Sequence, residues 1–286
     1  MMNKKKLTLI ACILIGIGVI GSLFTYRIVD PKSISEEKIF EAQEIAIIDV
    51  DTDNVGVNVY PTTEESIKVI LKGETSRNVT KSFNTDVRES TLFITYDEKL
   101  RSWFNFDLFN VLQPLTLNVY LPEKQYEMLK LSSNNGAIVA TELNAQQVEL
   151  DTDNGRVEFE DLDAQGINVE SNNGRIALTN VSAQNVNVKS DNGRVTLDHV
   201  DGKLIAETNN GGITLVTKEL DRDIRFKSNN GKISITSEIE PTNVQFNVSV
   251  HNGRVNILDK YQGSTTIGNG DHLIELTTHN GSITVD

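Results

Sequence analysis

Apolar and polar residues alternate along the second half of the chain. The alternation is clear at Val157 and Phe159 and recurs at Ile176 and Leu178. A period of two residues is the spacing at which side chains share one face of a β-strand. Residues 123–240 show no apolar stripe at helical spacing and contain no proline, which would interrupt a strand ladder. This part of the chain is therefore predicted to be all β.

Eight Asn-Gly pairs separate these alternating segments. Their asparagines follow one another at intervals of 19, 19, 19, 18, 20, 22 and 28 residues, and a nearly constant period indicates a repeat architecture. A serine or threonine stands two residues before the asparagine in every pair except the one that follows Val250. The predicted structural turns are Asn135-Gly136, Asn154-Gly155, Asn173-Gly174, Asn192-Gly193, Asn210-Gly211, Asn230-Gly231, Asn252-Gly253 and Asn280-Gly281.

Two folds use such turns. In a series of hairpins, Asn-Gly joins antiparallel strands through a type I′ turn. In a solenoid, it forms one corner of each coil, and equivalent residues of successive coils stack about 4.8 Å apart. We expect Asn and Gly at these corners because both tolerate positive φ. Recurrence of the same residue types in every period favours an all-β parallel β-helix with coils of about 19 residues, and the hairpin fold is the alternative.

Each period also contains a second bend with one apolar residue, which we expect to line a shared core. These residues are Leu143, Leu162, Val181 and Val200. The predicted solenoid occupies residues 129–286. Residues 41–128 are predicted to form an N-terminal β cap and the first coils, because a solenoid needs its open end covered.

Within the predicted cap, the segment Asp51–Val57 resembles a degenerate copy of the repeat. Three further strands are expected over Ile67–Lys72, Leu92–Tyr96 and Leu115–Leu121, with prolines at their edges.

The first 40 residues differ from the rest of the chain. A basic tail (residues 1–6) precedes an uncharged run over residues 7–26, whose 20 residues could span a bilayer as a helix. The positive-inside rule then predicts a cytoplasmic N-terminus and an extracellular C-terminal domain. Residues 27–40 are predicted to be a polar tether. The alternatives are a cleaved signal peptide and lipidation of Cys12, whose preceding residues resemble a lipobox.

The composition suits a fold with a narrow, repeated core, because only 38% of the residues are hydrophobic and 6% are aromatic. The single cysteine excludes an internal disulfide and a multi-cysteine metal site. Four of the 27 basic residues lie within residues 1–27, which leaves 23 basic against 40 acidic residues beyond them. This excess of negative charge argues against nucleic acid as a partner. We expect no cofactor.

A basic residue follows the Asn-Gly pair in several coils, and in a solenoid these residues would form one column, which we call the basic column. It consists of Arg156, Arg175, Arg194, Lys232 and Arg254. The column predicts a binding surface for an anionic envelope polymer such as teichoic acid. The alternative is a row of solvated corner residues, each worth little energetically.

A second candidate surface is the only strongly aromatic segment, residues 100–112. It contains Trp103, Phe104, Phe106 and Phe109. These rings could close the apolar end of the solenoid, or they could form an exposed loop that contacts the membrane or a partner protein.

Signals for metal binding and catalysis are weak. Asp153 and Asp191 precede Asn-Gly in two coils, but four of the eight repeats have Asn there, which is a poorer calcium ligand. His251 and His279 stand at the same place in the last two repeats, and we expect surface corner residues and no metal. Asp151, with Asp153 and Asp191, could imitate a β-helix glycosidase, but an active site is usually an irregularity in a repeat. We expect no enzyme activity.

The segments ESNNGRIAL and ETNNGGITL resemble the repeats of the bacterial "putative adhesin" β-strand-repeat family, a domain of unknown function. The resemblance covers residues 45–286. With one N-terminal span, the chain is similar to the LiaG-like members encoded beside envelope-stress systems of Gram-positive bacteria. It implies a membrane-anchored extracytoplasmic binding or scaffold protein of the cell envelope. A carbohydrate-active β-helix enzyme acting on cell-wall glycan is the alternative.

Overall fold

A computed structural model of the chain describes residues 4–28, 32–75, 79–100 and 115–286. One helix, α1 (Lys4–Ile28), precedes the β structure. In this described part of the chain, no helix combines the length and the apolar character that crossing a membrane requires. The membrane span over residues 7–26 therefore stays a prediction.

Beyond α1, the regular secondary structure of the described residues consists of β-strands. The N-terminal group is β1 (Lys32–Glu41), β2 (Ile47–Thr52), β3 (Gly56–Thr62), β4 (Ser66–Thr75), β5 (Val79–Arg88), β6 (Thr91–Leu100), β7 (Thr116–Pro122) and β8 (Gln125–Ser133). The central group is β9 (Ile138–Thr152), β10 (Val157–Ser171), β11 (Ile176–Ser190), β12 (Val195–Val200), β13 (Lys203–Thr208), β14 (Ile213–Thr217), β15 (Ile224–Ser228) and β16 (Ile233–Ser237). The C-terminal group is β17 (Val244–Asn252), β18 (Val255–Ile257), β19 (Thr265–Ile267), β20 (His272–Asn280) and β21 (Ile283–Val285).

Successive coils stack in parallel register. In β10, Val157 pairs with Ile138 of β9 on one side and with Ile176 of β11 on the other, each exactly one repeat away. The same parallel pairing continues from β11 to β12 and β13 and on to β14, β15 and β16. Hairpins would require antiparallel strands on either side of each Asn-Gly pair, so the hairpin alternative is wrong and the solenoid prediction is confirmed.

The core is a strip that every coil extends by a few side chains. In β10, Val157, Phe159 and Val169 are buried, and Leu162 at the second bend is buried with them. The predicted second-bend residues Leu143, Val181 and Val200 are buried too. Because each coil adds a similar apolar set at the same register, the core grows with the number of coils and needs few aromatic residues.

The second bend is made by the residue just before the apolar one. This residue has positive φ in four successive coils, at Glu142, Asp161, Asn180 and His199, with values of 52° to 54°. Asn, Asp and His tolerate this left-handed conformation better than most residues. The apolar residue of this bend was predicted from the sequence, but the residue that turns the chain was not.

At the N-terminal end, stacking order differs from chain order. The coil formed by β2 and β3 pairs with β8 and β9 on one side and with β6 and β7 on the other. Beyond it, β4 and β1 add antiparallel strands next to β7, and β5 pairs antiparallel with β6.

The predicted tether over residues 27–40 is wrong for its second part, because β1 begins at Lys32. This strand pairs along its whole length with β4. The side chains of Ile34 and Phe40 pack against the core. These apolar residues alternate with polar ones, which is a strand pattern. The many charged residues of the segment made this pattern hard to see in the sequence.

At the C-terminal end, the last two long strands lie inside the stack. β20 pairs with β15 on one side and β17 on the other, and β21 lies between β16 and β18 in the same way. The coil of β17 and β18 is therefore the outermost coil, although it precedes β20 in the chain. The short strand β19 covers only the first residues of β17, Val244–Phe246, by antiparallel pairing.

Candidate functional site

The Asn-Gly corners are built around a buried hydroxyl group. In β10, the Oγ of Ser171 accepts a hydrogen bond from the backbone N–H of Gly174 at 2.9 Å. Ser133, Thr152 and Ser190 make the same bond in their coils. In later coils the hydroxyl instead donates to the glycine carbonyl of the neighbouring coil, as Ser228 does to Gly211 at 2.9 Å. The hydroxyl thus satisfies backbone groups that the corner buries.

Close approach of stacked backbones explains the corner glycines. A Cβ at Gly174 would lie 1.7 Å from the carbonyl oxygen of Gly155 in the neighbouring coil, and the other corner glycines meet the same obstacle. None of the eight has positive φ. The expectation that Gly serves here for its tolerance of positive φ is therefore wrong, because the space between coils, and not the backbone dihedral, excludes a side chain.

The corner asparagines form a continuous chain of hydrogen bonds, which we call the Asn ladder. In each step, Nδ2 of one asparagine donates to Oδ1 of the asparagine in the neighbouring coil, at 2.6 to 2.9 Å. In stacking order the ladder runs through Asn54, Asn135, Asn154, Asn173, Asn192, Asn210, Asn230, Asn280 and Asn252. Every bond points the same way along the stack.

A parallel column stands one residue earlier. Asn172 donates to Asp153 at 2.6 Å, and Asn209 donates to Asp191 at 2.8 Å. Two histidines complete the column, because the rings of His251 and His279 stack with centroids 4.5 Å apart and planes inclined by 7°. Both histidines are exposed, as predicted for corner residues.

The predicted basic column lies next to the Asn ladder. Its members occupy equivalent positions, since the carbonyl oxygens of Arg156, Arg175 and Arg194 accept hydrogen bonds from three successive coils. The column is interrupted after these arginines, where Gly212 takes the equivalent place. It is interrupted again by Ser282, because β21 is inserted between the coils of Lys232 and Arg254. Three adjacent arginines and two separate cations therefore replace the unbroken column.

Two of the three arginines share an acidic partner. The carboxylate of Glu158 lies 3.0 Å from Arg175 and 3.6 Å from Arg156. Arg194 is exposed and lies within ion-pair distance of no acid among the described residues. The side chains of Arg156 and Arg175 are more than half exposed, so the three guanidinium groups form an accessible cationic segment on an otherwise acidic protein.

Two aspartates on the outer face of the coils have raised pKa values. Burial, with the negative charges of Asp49, Asp97 and Asp53, raises the pKa of Asp51. Burial, with Glu170 and Asp153, raises the pKa of Asp151. Across the described ranges, no group of three or more His, Cys, Asp or Glu side chains is arranged to hold a metal ion.

The aromatic candidates Trp103, Phe104, Phe106 and Phe109 lie outside the described residues. A groove of about 500 Å³ lies beside the second bends near the N-terminal end and was not predicted from the sequence. It is lined by Pro61, Tyr126, Glu142 and Asp161 among others. The signal that could have predicted it is the pair of prolines, Pro61 and Pro122, which lie within one residue of the ends of two adjacent strands.

These features define the class of the protein, a parallel β-solenoid with asparagine-laddered corners. The chain belongs to the Toastrack DUF4097 family, whose model matches residues 45–286. This membership confirms the resemblance to an adhesin-type family of unknown function over the same range.

The chain is similar to several solved structures, and the one with a TM-score above 0.5 supports the fold. A "putative lipid binding protein" from Parabacteroides distasonis has a TM-score of 0.51 and 13% identity, over 88% of this chain and 96% of that one. A "putative cell adhesion protein" from Clostridium sporogenes has 17% identity and a TM-score of 0.36, over 89% and 99% of the two chains. A "putative adhesin" from Bacteroides fragilis has 13% identity and a TM-score of 0.42, over 88% and 97%. A search of the curated proteins finds no match.

Proposed function

We propose that the chain is a membrane-anchored, extracytoplasmic binding and scaffold protein of the bacterial cell envelope. The β-solenoid is the rigid body, residues 7–26 are the anchor, and the basic column is the binding surface. Family membership supports the adhesin-like role. The role in envelope stress rests on the resemblance to LiaG-like members alone.

The observation that carries the binding proposal is the run of three arginines on adjacent coils. Coils in a parallel stack are about 4.8 Å apart, so Arg156, Arg175 and Arg194 present cations at a regular spacing. A flexible polyanion such as teichoic acid can contact several of them at once, and the effective concentration after the first contact strengthens the others. Glu158 offsets part of this charge, and Arg194 is the cation that no described acid neutralises.

The chain is also proposed to lack catalytic activity. The carboxylates of Asp153 and Asp191 recur at the same corner position and accept hydrogen bonds from neighbouring asparagines. These hydrogen bonds give both carboxylates a structural role at their corners. The two carboxylates also recur with the repeat and do not form one unique cluster.

Binding is tested by the retention of purified teichoic acid on the immobilised full-length protein. We expect the triple variant with Arg156, Arg175 and Arg194 replaced by Ala to bind about tenfold more weakly, since three exposed ion pairs together are worth about 1–2 kcal/mol. The matched control replaces three exposed basic residues away from the column, namely Arg88, Lys130 and Arg225. Equal losses in both variants would indicate a general charge effect and contradict the proposed site.

Anchoring and orientation are tested separately with single reporter cysteines placed before Lys4 and after Asp286, in a variant with Cys12 replaced by Ser. A membrane-impermeant thiol reagent applied to intact cells should label only the C-terminal reporter. Labelling of both reporters, or release of the protein by alkaline washing of membranes, would contradict the anchor.

A further inference from the structure

An asparagine followed by glycine is chemically fragile, because it can deamidate without an enzyme. The backbone nitrogen of the glycine attacks Cγ of the asparagine, ammonia leaves, and a succinimide ring forms. Water then opens the ring at either carbonyl carbon and gives aspartate or isoaspartate. The reaction requires the side-chain amide to turn toward its own backbone and the glycine nitrogen to be free to attack.

The inner coils oppose both requirements. At Asn173, Nδ2 donates to Asn154 and Oδ1 accepts from Asn192, each at 2.7 Å, so neighbouring coils hold the amide from both sides. The N–H of Gly174 donates to the buried hydroxyl of Ser171. Two-sided amide bonding is also present at the other inner corners of the Asn ladder. The fold thus restrains seven of its eight fragile corners.

The outermost coil, β17 with β18, keeps only one of these restraints. Nδ2 of Asn252 donates to Asn280 at 2.8 Å, but in the part of the chain that the structure describes no coil is stacked on its other side. Within the described residues, Oδ1 of Asn252 accepts no hydrogen bond. Val250 takes the place of the serine or threonine, so an apolar Cγ1 lies beside Gly253 where the other corners have a hydroxyl.

We propose that Asn252 is the preferred deamidation site among the corner asparagines, and that Val250 is the residue that leaves this corner open. The product places a carboxylate at the end of the Asn ladder, near Arg254. When the product is isoaspartate, it also lengthens the backbone of the outermost coil by one atom. Deamidation therefore modifies one end of the solenoid while the inner coils stay intact.

A further Asn-Gly pair provides an internal reference. Asn269 and Gly270 lie in the turn between β19 and β20, outside the Asn ladder, and Asn269 is exposed. Its rate of deamidation reports an unrestrained pair in the same folded molecule.

The test follows deamidation of the detergent-solubilised full-length protein over time at mildly alkaline pH, by tryptic digestion and mass spectrometry. The peptide 233–254 contains Asn252 as its only Asn-Gly, and the peptide 157–175 contains Asn173 as its only one. We expect Asn252 to react about tenfold faster than Asn173, the factor that the loss of one or two hydrogen bonds implies. Its rate should approach that of Asn269. A rate at Asn252 no greater than at Asn173 would overturn the proposal.

Two variants test the part assigned to Val250. Val250→Thr restores the hydroxyl, and we expect it to slow deamidation at Asn252 about fivefold. Val248→Thr is the matched control, since Val248 is a half-buried valine on the same strand without a corner glycine beside it, and it should leave the rate unchanged. An unchanged rate in Val250→Thr, or in Val250→Ser should the threonine variant fail to fold, would overturn the assignment to Val250.

Discussion

The two ends of the Asn ladder break the corner motif in opposite ways. In the coil of β2 and β3, Thr52 keeps the hydroxyl, but Asn54 is followed by Val55 and not by glycine. In the coil of β17 and β18, Gly253 is kept and Val250 replaces the hydroxyl residue. Both coils lie at the ends of the Asn ladder, and each has a ladder coil on one side only. Comparing them therefore shows which neighbouring coil makes each part of the motif necessary.

The corner glycine is required by the neighbouring coil on the β2 side of the stack. A Cβ on Gly253 would lie 1.6 Å from the carbonyl oxygen of Gly281, and a Cβ on Gly136 would lie 1.9 Å from the carbonyl oxygen of Val55. Val55 belongs to the coil of β2 and β3, whose neighbour on this side contains β6 and β7. The sequence between those two strands contains no Asn-Gly pair. A corner therefore needs glycine where the neighbouring coil on its β2 side brings a backbone carbonyl oxygen close to it. Because this contact is made on one side only, the stack of corners has a direction.

The largest expected effect comes from filling the space at an inner corner. Gly174→Ala puts a Cβ where the carbonyl oxygen of Gly155 stands, so two coils must separate. We expect a loss of about 4 kcal/mol in the free energy of unfolding, measured by chemical denaturation.

Gly56→Ala is the matched control for this substitution. The nearest atom to its Cβ, the carbonyl oxygen of Ala137, would be 3.6 Å away, which is ordinary contact. We expect a change within about 0.5 kcal/mol. Similar losses in both variants would show that spacing between coils is not what selects glycine.

A smaller effect should separate the inserted coil from the outermost one. Leu276 of β20 is fully buried between β15 and β17, and its register partner Val248 in β17 is only half buried. We expect Leu276→Ala to cost about 3 kcal/mol and Val248→Ala about 1 kcal/mol, both measured by urea denaturation. The reverse order would contradict the position of β20 inside the stack.

The smallest effect is a response to acid at the outermost coil. Asp221 accepts hydrogen bonds from the backbone N–H and hydroxyl of Thr242 and from the N–H of Asn243, just before β17. Desolvation acts to raise the pKa of Asp221, but these hydrogen bonds outweigh it and hold the pKa below its ordinary value. The stabilisation is therefore present above the unfolded-state pKa of about 3.9 and is lost as the pH falls through the lower folded-state pKa.

Hydrogen exchange corrected for its intrinsic pH dependence provides the measurement. Protection of β17 should fall on acidification, while protection of β10 should not change. Asp221→Asn should lose protection of β17 at neutral pH and show little further response to acid. Asp163→Asn, which alters an exposed carboxylate of β10, is the control. A β17 response that persists in Asp221→Asn would assign the acid sensitivity to another group.

The repeat made most of the fold predictable. The period of the Asn-Gly pairs, the alternation at Val157 and Phe159, and the single apolar residue at Leu162 together specify stacked coils with a narrow core. The Ser/Thr position before each Asn-Gly was visible too, with Val250 as its exception. A residue pattern that recurs in every coil supports an inference about the fold that a single residue could not support.

The order of the outer coils could not be predicted, because the repeats are nearly interchangeable. Strands β20 and β21 carry the same corner motif as their neighbours, so nothing in their sequence specifies insertion between β15 and β17. The interruption of the basic column at Ser282 follows from this insertion. The purpose of the corner glycines was also hidden, since steric exclusion by a neighbouring coil and tolerance of positive φ select the same residue.

The uniform direction of the Asn ladder gives the solenoid an electrical polarity. Each side-chain amide carries a dipole, and head-to-tail alignment adds these dipoles along the stack, much as peptide units do in a helix. The Asn54 end presents an amide N–H that no further ladder step accepts, and the Asn252 end presents a carbonyl oxygen. The first end should therefore favour anions and the second cations, which makes the two ends of the molecule electrostatically distinct even where their side chains match.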